Sequence, residues 1–142
     1  MRFLQNGDME FIAKIDQIHC CLQWIKAELR SMDFDPTILH RLELASEEAL
    51  VNIINHAYQG RPEKVEIWVN LFPKSHAEIV FKDHGPPFNP LDAQSAQDLS
   101  LEERKIGGLG IHLMRKCVDE IQYSRIENHN VLVFIIRSSQ KK

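Results

Sequence analysis

The sequence lacks the features that mark several large classes of protein. Its longest apolar run, Val131 to Ile136, has six residues, far fewer than the roughly 20 that a membrane-spanning helix needs. Basic residues do not outnumber acidic ones (17 against 20, net charge −3), and no run of five or more lysines and arginines exists. The sequence therefore predicts neither a membrane span nor direct nucleic-acid binding.

Cysteine is scarce and is not spaced for cross-linking or for metal binding. Of the three cysteines, Cys20 and Cys21 are adjacent and Cys117 stands alone. An odd number without C-x-x-C spacing argues against a disulfide framework and against a zinc site. The first eight residues have no apolar segment of the kind found in a secretory signal. We therefore expect free thiols and a cytoplasmic location.

The length and composition predict one globular domain over residues 1–142. A chain of 142 residues with 44% apolar and 26% charged residues is close to the globular average. A domain of this size buries roughly 68–70% of its unfolded surface. A hydrophobic core without disulfides or structural metals is therefore sufficient.

The first half of the chain is predicted to be mainly helical. Residues 1–10 are assigned a short strand. Apolar residues then recur every three or four positions from Phe11 to Met32, which predicts a helix. Asp35 and Pro36 have the chemistry of a helix cap and a first helical position. We predict a second helix from there to about Tyr58.

The second half is predicted to contain two hairpins separated by a loop and a third helix. Apolar and polar residues alternate over Val65–Phe72, and a turn leads to a second strand over Ala77–Lys82. Asp83–Lys105 has no strand or helix pattern, and a loop of that length is often a functional lid. We place the lid at about 86–106. The remaining predictions are a helix over Ile111–Val118, strands over Ile121–Ile126 and Val131–Arg137, and a turn over Glu127–Asn130.

Helices and strands thus come in runs, which is typical of an α+β fold. We predict a two-layer sandwich in which helices cover one face of a mostly antiparallel sheet.

Near the end of the second predicted helix, three polar residues form one stripe. Glu48, Asn52 and His56 follow one another at intervals of four residues, so their side chains are neighbours on the helix surface. An amide oxygen and a carboxylate about 6 Å apart suit a Mg²⁺ site beside a general base. The alternative is a solvated helix edge.

An Asp-x-Gly sequence follows the third predicted strand. Asp83 lies where the strand ends, and Gly85 comes two residues later. A carboxylate there can accept a hydrogen bond from the exocyclic amine of adenine, and a glycine lets the backbone approach a ring closely. The alternative is an ordinary turn after a strand.

Three of the six glycines lie within four residues immediately before the third predicted helix. Gly107, Gly108 and Gly110 can turn backbone N–H groups toward an anion at a helix N-terminus, which carries partial positive charge. The segment does not match a P-loop and matches the Rossmann fingerprint poorly. A flexible hinge at the end of the lid is the alternative.

Together, these three segments resemble the motifs of the Bergerat (GHKL) ATP-binding fold, and most closely those of the small anti-sigma-factor serine/threonine kinases of bacterial partner-switching systems. That family has a Glu-Ala-x-x-Asn helix followed by His, an Asp-x-Gly-x-Pro-Phe box and a Gly-Gly-x-Gly-Leu/Ile box. The residues that match these boxes are Glu48, Ala49, Asn52, His56, Asp83, Gly85, Pro87, Phe88, Gly107, Gly108, Gly110 and Ile111.

The resemblance implies a role for each motif. Asn52 would hold Mg²⁺ between ATP phosphates, and Glu48 would be the general base toward a serine hydroxyl of a protein substrate. Asp83, with Gly85, would bind adenine. The phosphates would be lined by Gly107, Gly108, Leu109 and Gly110.

The resemblance also implies partners. Family members usually form homodimers, bind a sigma factor, and phosphorylate a small STAS-domain anti-anti-sigma protein that opposes them. The implied cofactors are therefore ATP and Mg²⁺.

The sequence departs from the pattern in its last hairpin. Many Bergerat ATPases carry a threonine there that contacts a phosphate, whereas this hairpin has Asn130 and no threonine; Asn130 is the candidate substitute. The departure keeps an alternative open, a nucleotide-binding partner-switch module with little or no kinase activity. A plain interaction domain with a vestigial pocket is a third reading.

Two further assignments stay open at this stage. Arg104 and Lys105 at the end of the lid either reach the γ-phosphate or only solvate the loop. The aromatic residues Trp24, Trp68 and Phe72 either build a dimer or partner interface or belong to the core.

Overall fold

The computed structural model describes residues 2–3, 7–92 and 109–138 of the chain. It shows an α+β sandwich with one six-stranded sheet in the order β1-β2-β3-β4-β6-β5, antiparallel throughout. The strands are β1 (Arg2–Phe3), β2 (Asp8–Ile12), β3 (Lys64–Phe72), β4 (His76–Asp83), β5 (Glu120–Ile126) and β6 (His129–Arg137), and the α-helices are α1 (Ile18–Glu28), α2 (Pro36–Asn52) and α3 (Leu109–Cys117).

The helices cover one face of the sheet, as the sequence predicts. Along β4 and β6 every second side chain is buried, and these side chains form one core with the apolar faces of α1 and α2. Asp35 caps α2 as expected: its Oδ1 accepts a hydrogen bond from the Thr37 N–H at 2.8 Å, and Pro36 opens the helix. The two-layer fold class is confirmed.

The pairing of the central strands sets the position of the site. In the β3–β4 hairpin Val65 is the partner of Asp83, and on the other side Asp83 is paired with Asn130 of β6. Arg125 of β5 is in turn the partner of Asn130. One row across the end of the sheet therefore holds a carboxylate, an amide and a guanidinium.

The prediction of a helix over Phe11–Met32 is wrong at its N-terminal end. Phe11 belongs to β2, where it pairs with Val65, and α1 begins only at Ile18. Met9 and Phe11, two residues apart, are both buried against the core. Their spacing of two identifies a strand, but the apolar residues after them continue the helical spacing and conceal the boundary.

Two other boundaries also differ from the prediction. Regular α-helix ends at Asn52 and one π-helical turn, Ile53–Ala57, follows it. In the last hairpin the turn is confined to Glu127 and Asn128, which have positive φ values of 49° and 67°. Two consecutive residues with positive φ are typical of the tight turns that suit a hairpin's twist. Asn130 is consequently a strand residue and not part of the turn.

Of the three aromatic residues left open, only Trp24 packs against the core, where its ring meets the buried Phe11 edge-on at 6.0 Å. Trp68 lies on the face of the sheet opposite to its buried neighbours Ile67 and Val69. Phe72 is 42% exposed and stacks on His76.

Across the described ranges, the structure contains no helix with the length and apolarity needed to cross a bilayer.

Candidate functional site

Two of the three sequence motifs meet at one end of the sandwich. The π-helical turn after α2 lies against the loop after β4: the His56 ring stacks on the Phe88 ring at 5.1 Å, with an angle of 15° between the planes. The Tyr58 ring lies 5.3 Å from the ring of His84. The motif that ends α2 and the Asp-x-Gly motif therefore form one continuous surface.

The third motif approaches the same end through α3. Helix α3 packs against α2, and Cys117 at its end lies in one cleft with Arg41 from the first half of α2. The two helices therefore run in opposite directions, and the start of α3 at Leu109 lies toward the half of α2 that carries Glu48 and Asn52. The backbone of Leu109 and Gly110 opens α3. Gly107 and Gly108 are outside the described residues, as is most of the predicted lid, from residue 93 onward.

Asp83 is the buried acid at the centre of the surface. Only 4% of the residue is exposed. Its Oδ1 accepts two hydrogen bonds at 2.9 Å, one from the Gly85 N–H and one from the Asn130 side-chain amide. Its Oδ2 has no donor in the part of the chain that the structure describes. This oxygen is therefore the one left to a ligand, and an amine donor from a bound ring could pair with it.

The environment of Asp83 acts on its pKa in two opposite directions. Burial raises the pKa of this carboxyl above its usual value, and this is the largest effect. The hydrogen bonds from Asn130 and Gly85 lower the pKa, and so do the positive charges of His84 and Arg125. The site therefore uses several groups of the protein to favour a carboxylate where burial disfavours one.

Gly85 is required by packing. A β-carbon at this position would lie 2.7 Å from the Ala57 carbonyl oxygen and 3.0 Å from its carbon. The sequence pattern predicts close approach of a ligand at this glycine, but the close neighbour in the structure is the π-helical turn. The Gly85 carbonyl accepts a hydrogen bond from the Arg125 guanidinium at 2.7 Å, which also fixes the loop to β5.

Tyr58 is a site residue that sequence reasoning missed. It is 1% exposed, and its hydroxyl donates to the Lys64 carbonyl and accepts from the His84 N–H. Burial raises the pKa of this phenol well above its usual value, so the group acts only as a neutral bridge. A tyrosine just after the motif helix, before a Gly-Arg-Pro break, was the available signal.

Asn130 does not have the role suggested for it as a substitute for threonine. Its Nδ2 donates to Asp83 and to the Pro86 carbonyl, both at 2.9 Å, and its Oδ1 accepts from the Phe88 N–H and the Tyr123 hydroxyl. Both amide hydrogens and both acceptor positions are thus used within the protein, which leaves no donor for a phosphate.

Glu48 and Asn52, unlike Asp83 and Asn130, have side chains with no hydrogen-bond or ion-pair partner among the residues the structure describes. Both are half-buried on the last two turns of α2. Burial raises the pKa of Glu48, and the negative charge of Glu47 raises it further. An unpaired carboxylate with an elevated pKa, one turn from a free amide oxygen, fits a general base beside a Mg²⁺ ligand.

Within the described part of the chain, no three His, Cys, Asp or Glu side chains group together as metal ligands. A cation bound by the Asn52 oxygen would therefore need most of its ligands from elsewhere, and phosphate oxygens of a bound nucleotide are of the right chemistry.

Comparison with known proteins identifies the family of the chain. The profile of the family described as histidine kinase-like ATPase domain matches residues 11–136. A serine/threonine-protein kinase, BtrW of Bordetella bronchiseptica, is 29% identical over 100 residues, which cover 69% of this chain and 70% of that protein. The serine-protein kinase RsbW of Bacillus subtilis is 32% identical over 97 residues, or 63% of this chain and 57% of RsbW.

A longer match and a solved structure extend the likeness to almost the whole chain. RsbW of Bacillus mycoides is 26% identical over 138 residues, covering 94% of this chain and 86% of that protein. The crystal structure of the RsbU and RsbW domains of Rv1364c from Mycobacterium tuberculosis shares the fold with a TM-score of 0.63 at 13% identity. That match covers 94% of this chain and 33% of the other. The chain belongs to the family of histidine kinase-like ATPase domains, with the Bergerat (GHKL) fold, and several of its relatives are named serine-protein kinase RsbW.

Proposed function

We propose that this protein is an ATP-dependent serine/threonine protein kinase and anti-sigma factor that phosphorylates a STAS-domain anti-anti-sigma protein. One observation carries the proposal: Glu48 and Asn52 on α2 have side chains without partners among the described residues, and the buried carboxylate of Asp83 has hydrogen bonds to only one of its two oxygens. The names of the relatives BtrW and RsbW, which are serine or serine/threonine kinases, support the reaction class.

Each group has a role that its surroundings favour. The free Oδ2 of Asp83 accepts a hydrogen bond from the adenine amine, and the backbone at Leu109 and Gly110 opens α3, whose N-terminal N–H groups attract phosphate. Asn52 offers a neutral oxygen to Mg²⁺. When bound, ATP and Mg²⁺ supply the transferable γ-phosphoryl group and neutralise its charge.

Glu48 then takes the proton from the hydroxyl of the substrate serine. The hydroxyl oxygen bonds to the γ-phosphorus while the bond from that phosphorus to the β,γ-bridging oxygen breaks. Burial of Glu48 raises its pKa, which brings a carboxylate closer to the operating pH and makes it a more effective base.

Calorimetric titration with ADP and ATP, with and without Mg²⁺, tests the nucleotide site. Wild type should bind with micromolar affinity, and Asp83→Asn, which replaces an acceptor oxygen with a donor, should lose most of that affinity. Equal binding by wild type and Asp83→Asn would contradict the assignment of the adenine site.

Phosphoryl transfer is tested with Glu48→Gln, a variant that keeps shape and removes basicity. With a STAS-domain substrate and labelled ATP, the variant should bind ATP like wild type and lose transfer by about 10²-fold or more, the usual contribution of a general base. The exposed neighbour Glu47 provides the matched control, and Glu47→Gln should retain transfer. Unchanged transfer by Glu48→Gln would refute the base assignment.

One observation favours a second candidate function. Since Asn130 has no free donor for a phosphate, a module that binds nucleotide and switches partners with little kinase activity fits the same geometry. Tight ATP binding by the wild type without transfer to any STAS partner would select this alternative. The proposal also includes a sigma-factor partner, a homodimer and a cytoplasmic setting; sedimentation of the purified chain, alone and with ADP, tests the dimer.

A further inference from the structure

Asn130 occupies a central position in the row of residues at the end of the sheet. It is the strand partner of Asp83 on β4 and of Arg125 on β5. It is 4% exposed, and its amide makes four hydrogen bonds, to Asp83, Pro86, Phe88 and Tyr123. A buried amide with every position filled is held in one orientation.

The Phe88 N–H and the Pro86 carbonyl determine which way this amide faces, because the first can only donate a hydrogen bond and the second can only accept one. The Tyr123 hydroxyl and the Phe88 N–H both point at the Asn130 oxygen. The amide nitrogen is thereby directed to Asp83, where it donates to Oδ1. With the Gly85 N–H on the same oxygen, the carboxylate cannot turn without breaking two hydrogen bonds, and Oδ2 is the oxygen left to a ligand.

We propose that Asn130, held in its orientation by Phe88, Pro86 and Tyr123, is a positioning residue that makes Asp83 selective for a 6-aminopurine over a 6-oxopurine. The inference rests on the proposed nucleotide site and goes beyond it by assigning the base specificity to two residues outside the three motifs. An ionised carboxylate can only accept hydrogen bonds. It therefore pairs with the amine at position 6 of adenine and repels the oxygen at position 6 of hypoxanthine.

Selectivity depends on keeping the carboxylate ionised. A protonated Asp83 would carry a donor and could pair with a 6-oxo group. Burial favours that protonated form, and the surrounding groups oppose it: the Asn130 and Gly85 hydrogen bonds, and the charges of His84 and Arg125.

Among the residues that the structure describes, the remaining elements packed against Asp83 bring no further positive charge. Its strand partner on β3 is the apolar Val65, and the π-helical turn contributes Ala57 beside Gly85. The phenol of Tyr58 is neutral because burial raises its pKa. Asn130 is thus one of the few groups whose removal shifts Asp83 toward its protonated form.

The test compares ADP with IDP, which differ at position 6 of the base, by calorimetry from pH 5.5 to 8.5. Wild type should prefer ADP across the neutral and alkaline range. Asn130→Ala should narrow the ADP/IDP affinity ratio by about tenfold or more at pH 7.5, since hydrogen bonds to charged groups are among the stronger ones. It should also move the acid limb of ADP binding to higher pH. Asn130→Thr, which restores one donor, should recover part of the ratio.

Tyr123→Phe and Asn70→Ala complete the design. Tyr123→Phe leaves the contact between Asn130 and Asp83 in place, so it should lower the ADP/IDP affinity ratio in the same direction as Asn130→Ala but by less. This variant keeps the inference testable if Asn130→Ala does not fold. Asn70 is an exposed strand amide with only a side-chain contact to Glu78, and its removal should leave the ratio and the pH profile unchanged.

The outcomes separate the two proposals. No ADP binding by folded wild type would overturn both the nucleotide site and this inference. Normal ADP binding, with an unchanged ratio and pH profile in folded Tyr123→Phe and Asn130 variants, would overturn the inference alone. A uniform loss of ADP and IDP affinity with the same pH profile would also overturn it, because that result indicates a merely structural role.

Discussion

Replacing Gly85 with alanine should destabilise the fold by disrupting the contact between the π-helical turn and the loop after β4. The added β-carbon would lie 2.7 Å from the Ala57 carbonyl oxygen, 3.0 Å from the carbonyl carbon and 3.1 Å from the Ala57 β-carbon. All of these neighbours are backbone or β-carbon atoms, so no flexible side chain can move aside. Gly85 must shift away from Ala57, or the turn must shift.

The magnitude follows from the cost of overpacking, typically about 1–3 kcal/mol. In a domain of 142 residues, each kcal/mol lowers the melting temperature by roughly 3–4 °C. The melting temperature of Gly85→Ala should therefore be about 3–12 °C below that of wild type. Because the Gly85 N–H also holds Asp83, nucleotide affinity should fall together with stability.

Gly60→Ala is the matched control for this experiment. Gly60 has φ of +83°, and no atom lies within 4 Å of the position that a β-carbon would occupy there, so alanine introduces backbone strain without a steric clash. We expect a stability loss of about 1–2 kcal/mol from the left-handed conformation, with nucleotide affinity unchanged. Thermal and urea unfolding by circular dichroism measure both variants. A Gly85→Ala protein as stable as wild type, with full ADP affinity, would refute the packing argument.

Two further predictions concern ionisation. Burial raises the pKa of Asp83 in the folded state, so its charge opposes folding increasingly as pH rises through the interval between the unfolded and the folded pKa. In thermal unfolding across pH, Asp83→Asn should therefore melt no lower than wild type at pH 7.5 and should lose this advantage below pH 4. A lower melting temperature of the variant at pH 7.5 would contradict the assignment. Burial also raises the pKa of the Cys21 thiol to about 12, whereas Cys20 is exposed. A thiol reagent should therefore modify Cys20 in the native protein and Cys21 only after unfolding. Equal modification rates of the two thiols, measured by mass spectrometry, would exclude this packing of α1.

Much of the fold follows from local patterns in the sequence. The β3–β4 hairpin shows clean alternation of apolar and polar residues, and α2 begins with a cap and a proline, so both can be predicted nearly to the residue. The start of α1 cannot, because Phe11 fits both the strand spacing that begins at Met9 and the helical spacing of the apolar residues that follow it. Only the pairing of Phe11 with Val65 in β3 decides between them.

The candidate site likewise contains residues that can be predicted from local patterns and residues that cannot. Its motif residues, such as Glu48, Asn52 and Asp83, could be selected because spacing within a short segment carries chemical meaning. The residues that hold Asp83 in place could not: Asn130 lies 47 positions away and Arg125 contacts Gly85 across 40. A local pattern contains no information on contacts that only the sheet order creates.

The π-helical turn joins a motif that local spacing predicts to contacts that only the folded structure shows. The Tyr58 N–H bonds the Ile53 carbonyl five residues back, at 2.8 Å, and a turn with one extra residue rotates the downstream residues by about 100° relative to a regular helix. This rotation accompanies the packing of Ala57 against Gly85 and of the His56 ring on Phe88.

These contacts and the irregular turn occur together at one end of the sandwich. A π-helical turn is rare and is frequently found at functional sites. Here a missing β-carbon at Gly85, a stacked pair of rings and the buried Tyr58 hydroxyl on the His84 N–H all stabilise it. The helix motif and the Asp-x-Gly motif are therefore joined by one deviation from regular geometry. That join positions Asn52 relative to Asp83, the two residues between which we propose that a nucleotide binds.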